Sequence, residues 1–174
     1  MAWRQKRYLG IRVRYPPSWY VRFKYGIRDL QKNEFEVLTG LPQELHRHLP
    51  QDLALAQTQD GQTVLCANLV RDHDGEPSSF LSDLPGVDDP TFWKEMEAMA
   101  ETFRRRRLYF LSAFTPGNFL VERVGPEASR PVLWPDVSKC GRTLFPYQFH
   151  LLLGPVLRRK FERRVRRFFR QHRR

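Results

Sequence analysis

Asn118 and Asp136 are the residues whose types and spacing best suit chemistry on a charged substrate. Asn118 follows Pro116-Gly117 and leads into Phe119-Leu120-Val121, and Asp136 stands eighteen positions later, just after Val132-Leu133-Trp134. An amide oxygen and a carboxylate at the ends of two paired strands could hold a divalent cation, and a cation so held could position a phosphate. Taken alone, Pro-Gly-Asn is turn chemistry; the pairing with Asp136 favours a vestigial metal site. Upstream, Arg22 and Lys24 share one face of an alternating stretch with Val21 and Phe23 between them, and both could contact phosphate. Glu34, on the helix predicted next, is their candidate partner. The competing interpretation is a solvated basic strand face and an ordinary surface glutamate paired with Lys32 or Arg28.

The elements that must position these residues can be predicted from periodicity. Residues 11–15 and 20–25 alternate apolar and basic side chains around Pro16-Pro17-Ser18, which predicts a hairpin. Residues 29–39 predict a helix with Leu30, Phe35, Val37 and Leu38 as its apolar positions and Gly40 as its stop. A short helix or turn is expected between Leu41 and Leu49, and a strand over 63–70. The run Arg71-Asp72-His73-Asp74-Gly75-Glu76-Pro77 reads as a hinge-like turn, followed by a short helix near 80–84. Asp88-Asp89-Pro90-Thr91 caps a helix to about Arg107 whose apolar face is Phe92, Met96, Met99 and Phe103. Strands at 119–124 and 131–134 form a hairpin, residues 145–154 are apolar and expected to be buried, and a basic amphipathic helix runs from about 156 to the end. The order predicts an α+β fold in a single domain.

Composition narrows the classes. The chain has 174 residues, 41% of them hydrophobic and 13% aromatic, enough for one packed core. No apolar run is long enough to span a bilayer, and the N-terminal residues lack the apolar segment of a secretory signal. Cys66 and Cys140 are the only cysteines, which fits a reducing, cytoplasmic setting better than a disulfide framework. Glu44, His46 and His48 lack further ligands at a usual zinc spacing and read as a polar surface turn. No nucleophile motif supports a hydrolase.

Several segments, in order, resemble the YrbL family of bacterial kinase-like proteins, named for the PhoP regulatory network. They are Tyr20-Val21-Arg22-Phe23-Lys24, Asn33-Glu34-Phe35, residues 70–77, Phe114-Thr115-Pro116-Gly117-Asn118-Phe119-Leu120-Val121, Pro131-Val132-Leu133-Trp134-Pro135-Asp136, and Gly141 to Pro146 with the Arg-rich end. The resemblance implies a shortened protein-kinase-like fold. A strand-rich N-lobe would span about 1–72, a helical C-lobe about 77–156, and the basic helix about 156–174. It implies that Arg22 or Lys24, with Glu34, contacts nucleotide, that Asn118 and Asp136 hold Mg²⁺, and that the cofactors are ATP and Mg²⁺, weakened or lost. In kinases an Asp five before the Asn is the base; here it is Ala113. No Gly-x-Gly-x-x-Gly precedes the strands, Gly10 being a lone glycine, and Val137-Ser138, then Lys139, follow Asp136 in place of Phe-Gly. The implied function is a pseudokinase with a regulatory, partner-binding role. An atypical active kinase on a small molecule or envelope component, with Asp136 as base, is the alternative.

The net charge of +11 is concentrated at one end. Residues 157–174 hold ten Arg or Lys and one Glu. Leu157, Phe161, Val165 and Phe168/Phe169 fall on one helical face, while Arg158, Arg159, Arg163, Arg164, Arg166, Arg167 and Arg170 cover the rest. Three arrangements are open: packing on the domain with solvated arginines, lying on an anionic membrane surface such as the inner membrane, or binding nucleic-acid phosphates. A basic adaptor acting through this helix is a third functional class beside the two kinase-like ones.

Overall fold

A computed structural model describes residues 11–12, 29–59, 61–110, 113–134 and 147–173, and it has mixed α+β architecture. Asp29 caps helix α1 (Leu30–Thr39), its Oδ1 accepting from the Gln31 and Lys32 N–H groups at 2.9 and 3.0 Å. The buried face of α1 differs from the expected one. Leu38 is buried as predicted, but Gln31 and Glu34 are buried beside it, whereas Phe35 and Val37 are half-buried. Positions 31, 34 and 38 share a helical face whichever residue types occupy them, and tertiary packing chose that face over the more apolar one. Helix α2 (Gln43–His46) follows.

Strand β1 (Ile11–Arg12) and strand β2 (Ala54–Gln57) flank β3 (Thr63–Cys66), both antiparallel to it. Only Ile11 and Arg12 of the predicted hairpin are described; Arg22 and Lys24 lie outside the described residues. Strand β2 carries no alternation, because it lies at an edge and all four of its side chains are exposed. The predicted strand from residue 63 stops at Cys66. Cys66 is a free, half-buried thiol; Cys140 lies outside the described residues.

The segment expected to hinge is a tied turn. Asp72 donates its N–H to the Glu76 carbonyl at 2.8 Å. Its carboxylate accepts from the Ser78 hydroxyl at 2.6 Å and the Arg123 N–H at 3.0 Å. Gly75 sits at φ +89°, where glycine has no Cβ penalty.

A second antiparallel sheet joins β4 (Ser79–Phe80), β5 (Phe119–Arg123) and β6 (Ser129–Leu133), with Phe119 opposite Leu133 and Arg123 opposite Ser129. Pro131 is tolerated because β6 is an edge strand. Residues 81–83, predicted as the start of a helix, form one 3₁₀ turn.

Helix α3 (Pro90–Arg105) is the central rod, with Phe92, Trp93, Met96, Met99, Ala100 and Phe103 buried. Asp89 fastens its start to β6. Oδ1 accepts from the Thr91 and Phe92 N–H groups, and Oδ2 accepts from the Ser129 N–H and hydroxyl, both at 2.6 Å. Burial opposes ionisation of Asp89, but these hydrogen bonds outweigh it and hold the carboxyl below its usual value.

Helix α4 (Tyr147–His172) starts earlier than expected and runs through Pro155. A proline removes one ladder hydrogen bond, which the periodicity of Leu157 to Phe169 could not show to be affordable. Phe161, Val165 and Phe168 of α4 join the core cluster that also contains Leu38, Leu65, Phe103, Phe114 and Leu133. Among the described residues no helix is long and apolar enough to cross a membrane.

His48 corrects the expectation of a polar surface turn: it is 2% exposed. Its Nδ1 lies 3.1 Å from the Pro131 carbonyl and Arg47 Nε donates to its Nε2 at 3.1 Å, a pattern that fits the neutral ring with the proton on Nδ1. Burial holds its pKa below the ordinary imidazole value, against the opposing pull of the Pro131 carbonyl. A histidine depressed in the folded state stabilises fully above its unfolded pKa, about 6.5, and loses that contribution as pH falls through the folded value. The urea midpoint is therefore predicted to fall between about pH 7 and about pH 5. His48→Gln should lower stability at neutral pH and flatten that fall; an unchanged slope would contradict the buried neutral ring. His172, also held low by burial, leaves a smaller residual slope.

Candidate anion-binding groove

The loop that carries Ala113 and Asn118 is built on the end of α3. Leu108 N–H donates to the Phe103 carbonyl, Ala113 N–H to the Phe110 carbonyl and Asn118 N–H to the Thr115 carbonyl, closing a 3₁₀ turn at Pro116–Asn118. Ala113 is 0% exposed and belongs to the apolar core cluster, next in sequence to buried Phe114. Asn118 is 5% exposed, and its backbone carbonyl accepts from the Trp134 N–H at 2.8 Å. The main chain two residues before Asp136 is thus hydrogen-bonded to Asn118; Asp136 itself lies outside the described residues. Glu34 is 0% exposed, which removes its interpretation as a solvated helix glutamate. Among the described residues no three His, Cys, Asp or Glu side chains cluster to hold a metal ion. Of the suspected metal trio, Glu44 accepts from Arg106 and Arg105 at 2.6 and 3.2 Å. The Arg106 hydrogen bond is the chief cause of its lowered pKa. His46 Nε2 lies 2.7 Å from the Leu41 carbonyl.

The arrangement with the clearest chemistry lies one turn away, where α4 crosses the loop. Phe161 stacks on Phe103 with ring centroids 6.2 Å apart and planes 4° from parallel. Phe114 meets Phe161 and Phe168 edge-on at 5.6 and 5.9 Å. This packing directs the opposite face of α4 outward. Its one acid, Glu162, is held by Arg104 Nε at 3.0 Å, and Arg173 pairs with Glu97. Arg164 Nη2 donates to Thr115 Oγ1 at 3.0 Å. Among the described residues, Arg158, Arg159, Lys160, Arg163, Arg166, Arg167 and Arg170 make no ion pair with a carboxylate.

Between α4 and the Thr115–Pro116 turn runs a cleft of about 420 Å³. Lys160, Arg163, Arg164 and Arg167 line one wall, Thr115 and Pro116 the other, and Phe114 and Phe168 close the base. Among the described residues no carboxylate lines it. His172 at its end has its pKa lowered by burial, so it adds no full charge at neutral pH. A second cleft, between α3 and α4, is by contrast of mixed charge, lined by Glu97 and Glu101 together with Arg104 and Arg166. The cationic wall was legible in sequence; its facing wall was not. Thr115 and Arg164 are 49 positions apart, and no periodicity links them.

The placement of Ala113 yields a direct test. An aspartate there would put a carboxylate into an aromatic core, which costs several kcal/mol or forces the group neutral. Ala113→Asp is predicted to destabilise the fold by about 3 kcal/mol or more in urea titration. Near-wild-type stability would mean that position 113 faces a polar cleft instead. Comparison with protein-family models, curated proteins and solved structures finds no match, so the assignment of the groove stands on its own chemistry.

Proposed function

We propose that the chain is a kinase-like protein of the kind the YrbL resemblance implies, one in which phosphoryl transfer has lapsed and the folded frame works by binding a regulatory partner. The observation that carries this reading is Ala113. The residue five before Asn118 has no proton acceptor and is enclosed in apolar packing, so the position offers a base neither in type nor in place. The order of elements supports the kinase-like part. A helix with an enclosed Glu34 stands between the first strand of a small antiparallel sheet and its other two; a turn, the α3 rod, the Asn118 turn and the β5–β6 hairpin follow. Were ATP with Mg²⁺ to bind, Asn118 and Asp136 would hold the ion and Arg22 or Lys24, paired with Glu34, would meet the phosphates. The ion would supply charge neutralisation on those oxygens.

Radiolabelled ATP and Mg²⁺ should give no label transfer to protein or to candidate acceptors above background. Transfer that disappears in Asn118→Ala would overturn the reading in favour of an active kinase. Retained weak nucleotide binding should raise Tm at millimolar ATP–Mg²⁺; no shift would remove the nucleotide part and leave the binding role.

A second reading, a basic adaptor in the cytoplasm, is favoured by one separate observation. The cations of α4 are carried on a docked helix and lack carboxylate partners among the described residues.

A further inference from the structure

The cations of α4 form two rows. Arg159, Arg163, Arg166 and Arg170, all exposed, follow one another at helical spacing along the outer crest. At 1.5 Å per residue this row spans about 16 Å. Lys160, Arg164 and Arg167 form the second row, facing Thr115 across the cleft. Like charges three and four residues apart destabilise a helix by about 0.2–0.5 kcal/mol per pair. The face is therefore held together by the core beneath it and left short of negative charge.

Three features select the anion. The apolar face of α4 is already buried against Phe103 and Phe114, so the helix has no free stripe to sink into acyl chains while it remains docked. The cations are nearly all arginine, whose planar fork matches phosphate oxygens in a bidentate way that lysine does not. The charges are fixed in a row on a rigid rod, which suits a polymer carrying phosphates at regular intervals. The exposed positions from Arg158 to Arg173 are Arg, Lys and Gln171, and the rings of Phe114, Phe168 and His172 stand only at the cleft, so the outer crest has little with which to read base edges.

We propose that the outer face of α4, with the cleft against Thr115, binds the phosphate backbone of nucleic acid without regard to sequence. This inference rests on the basic-adaptor reading and names its partner. Arg163 and Arg167 contact successive phosphates, and the Arg164–Thr115 pair seats one at the cleft.

The test is fluorescence anisotropy of the full chain with a duplex DNA and an RNA hairpin of unrelated sequences, across about 50 to about 200 mM salt. About four neutralised phosphates give a slope of log K against log salt near −4, or a loss of roughly 200-fold over that range. The double substitution Arg163→Gln, Arg167→Gln should reduce the slope by about 2, while Arg105→Gln, on the surface beside Glu44, leaves it unchanged. Arg159→Gln, Arg170→Gln is the second pair, used with thermal melts to separate lost binding from lost folding. Parallel arms use phosphatidylserine vesicles and polyglutamate. No binding to either nucleic acid, or equal loss with Arg105→Gln, overturns the proposal. Tighter binding to vesicles or polyglutamate overturns the nucleic-acid assignment alone, and binding to no polyanion overturns the adaptor reading with it.

Discussion

The face-to-face contact between Phe103 of α3 and Phe161 of α4, closed from the side by Phe114, is the interaction on which the rest of the arrangement depends. Burying three aromatic side chains among one another contributes area-based stabilisation and a further increment of about 0.5–1.5 kcal/mol per ring pair. It brings residues far apart in sequence into one cluster, and it has two consequences. It turns the loop before Asn118 inward, so that Ala113 packs rather than reaches out. It also fixes the roll of α4 about its axis, so that its cations point to solvent and to Thr115. The enclosure of Ala113 and the display of a cationic face are, on this account, two results of one packing choice.

The remaining ties hold the frame around that contact. Asp89 joins the start of α3 to β6 through Ser129, and His48 joins the segment after α2 to β6 through the Pro131 carbonyl. The Leu133 N–H also donates to the His48 carbonyl. Strand β6 is thus held by side chains from two elements distant in sequence, and it leads directly toward Asp136. Asp72 ties the partner strand at the turn end of the hairpin, accepting from the N–H of Arg123 of β5, which lies opposite Ser129. A frame tied at these points keeps the Asn118 turn and the end of β6 in fixed relation.

The sequence was most informative where burial and residue type agree. The predicted apolar face of α3 is the buried one, and Phe161, Val165 and Phe168 of α4 pack as their spacing suggests. It was least informative where a tertiary neighbour sets the outcome. Strand β2 is exposed on every side chain and so carries no period. His48 read as a surface residue, and a solvated helix residue was the competing interpretation of Glu34, because these types are usually solvated, yet both are enclosed. The helix expected from about residue 156 begins at Tyr147 and passes through Pro155. For the site, the cations could be counted from the chain, but the cleft that gathers four of them exists only because α4 lies against Thr115 and Pro116.

The docked roll of α4 can be measured by native-state hydrogen exchange, which reads how firmly each turn is held. The account predicts that the amides of Phe161, Val165 and Phe168 exchange only through the same global opening that exposes Met96, Met99 and Phe103 of α3. Exchange at those α4 positions markedly faster than in α3, with α3 still protected, would show a helix that lifts away on its own, and would contradict the packing from which the cationic face and the placement of Ala113 both follow.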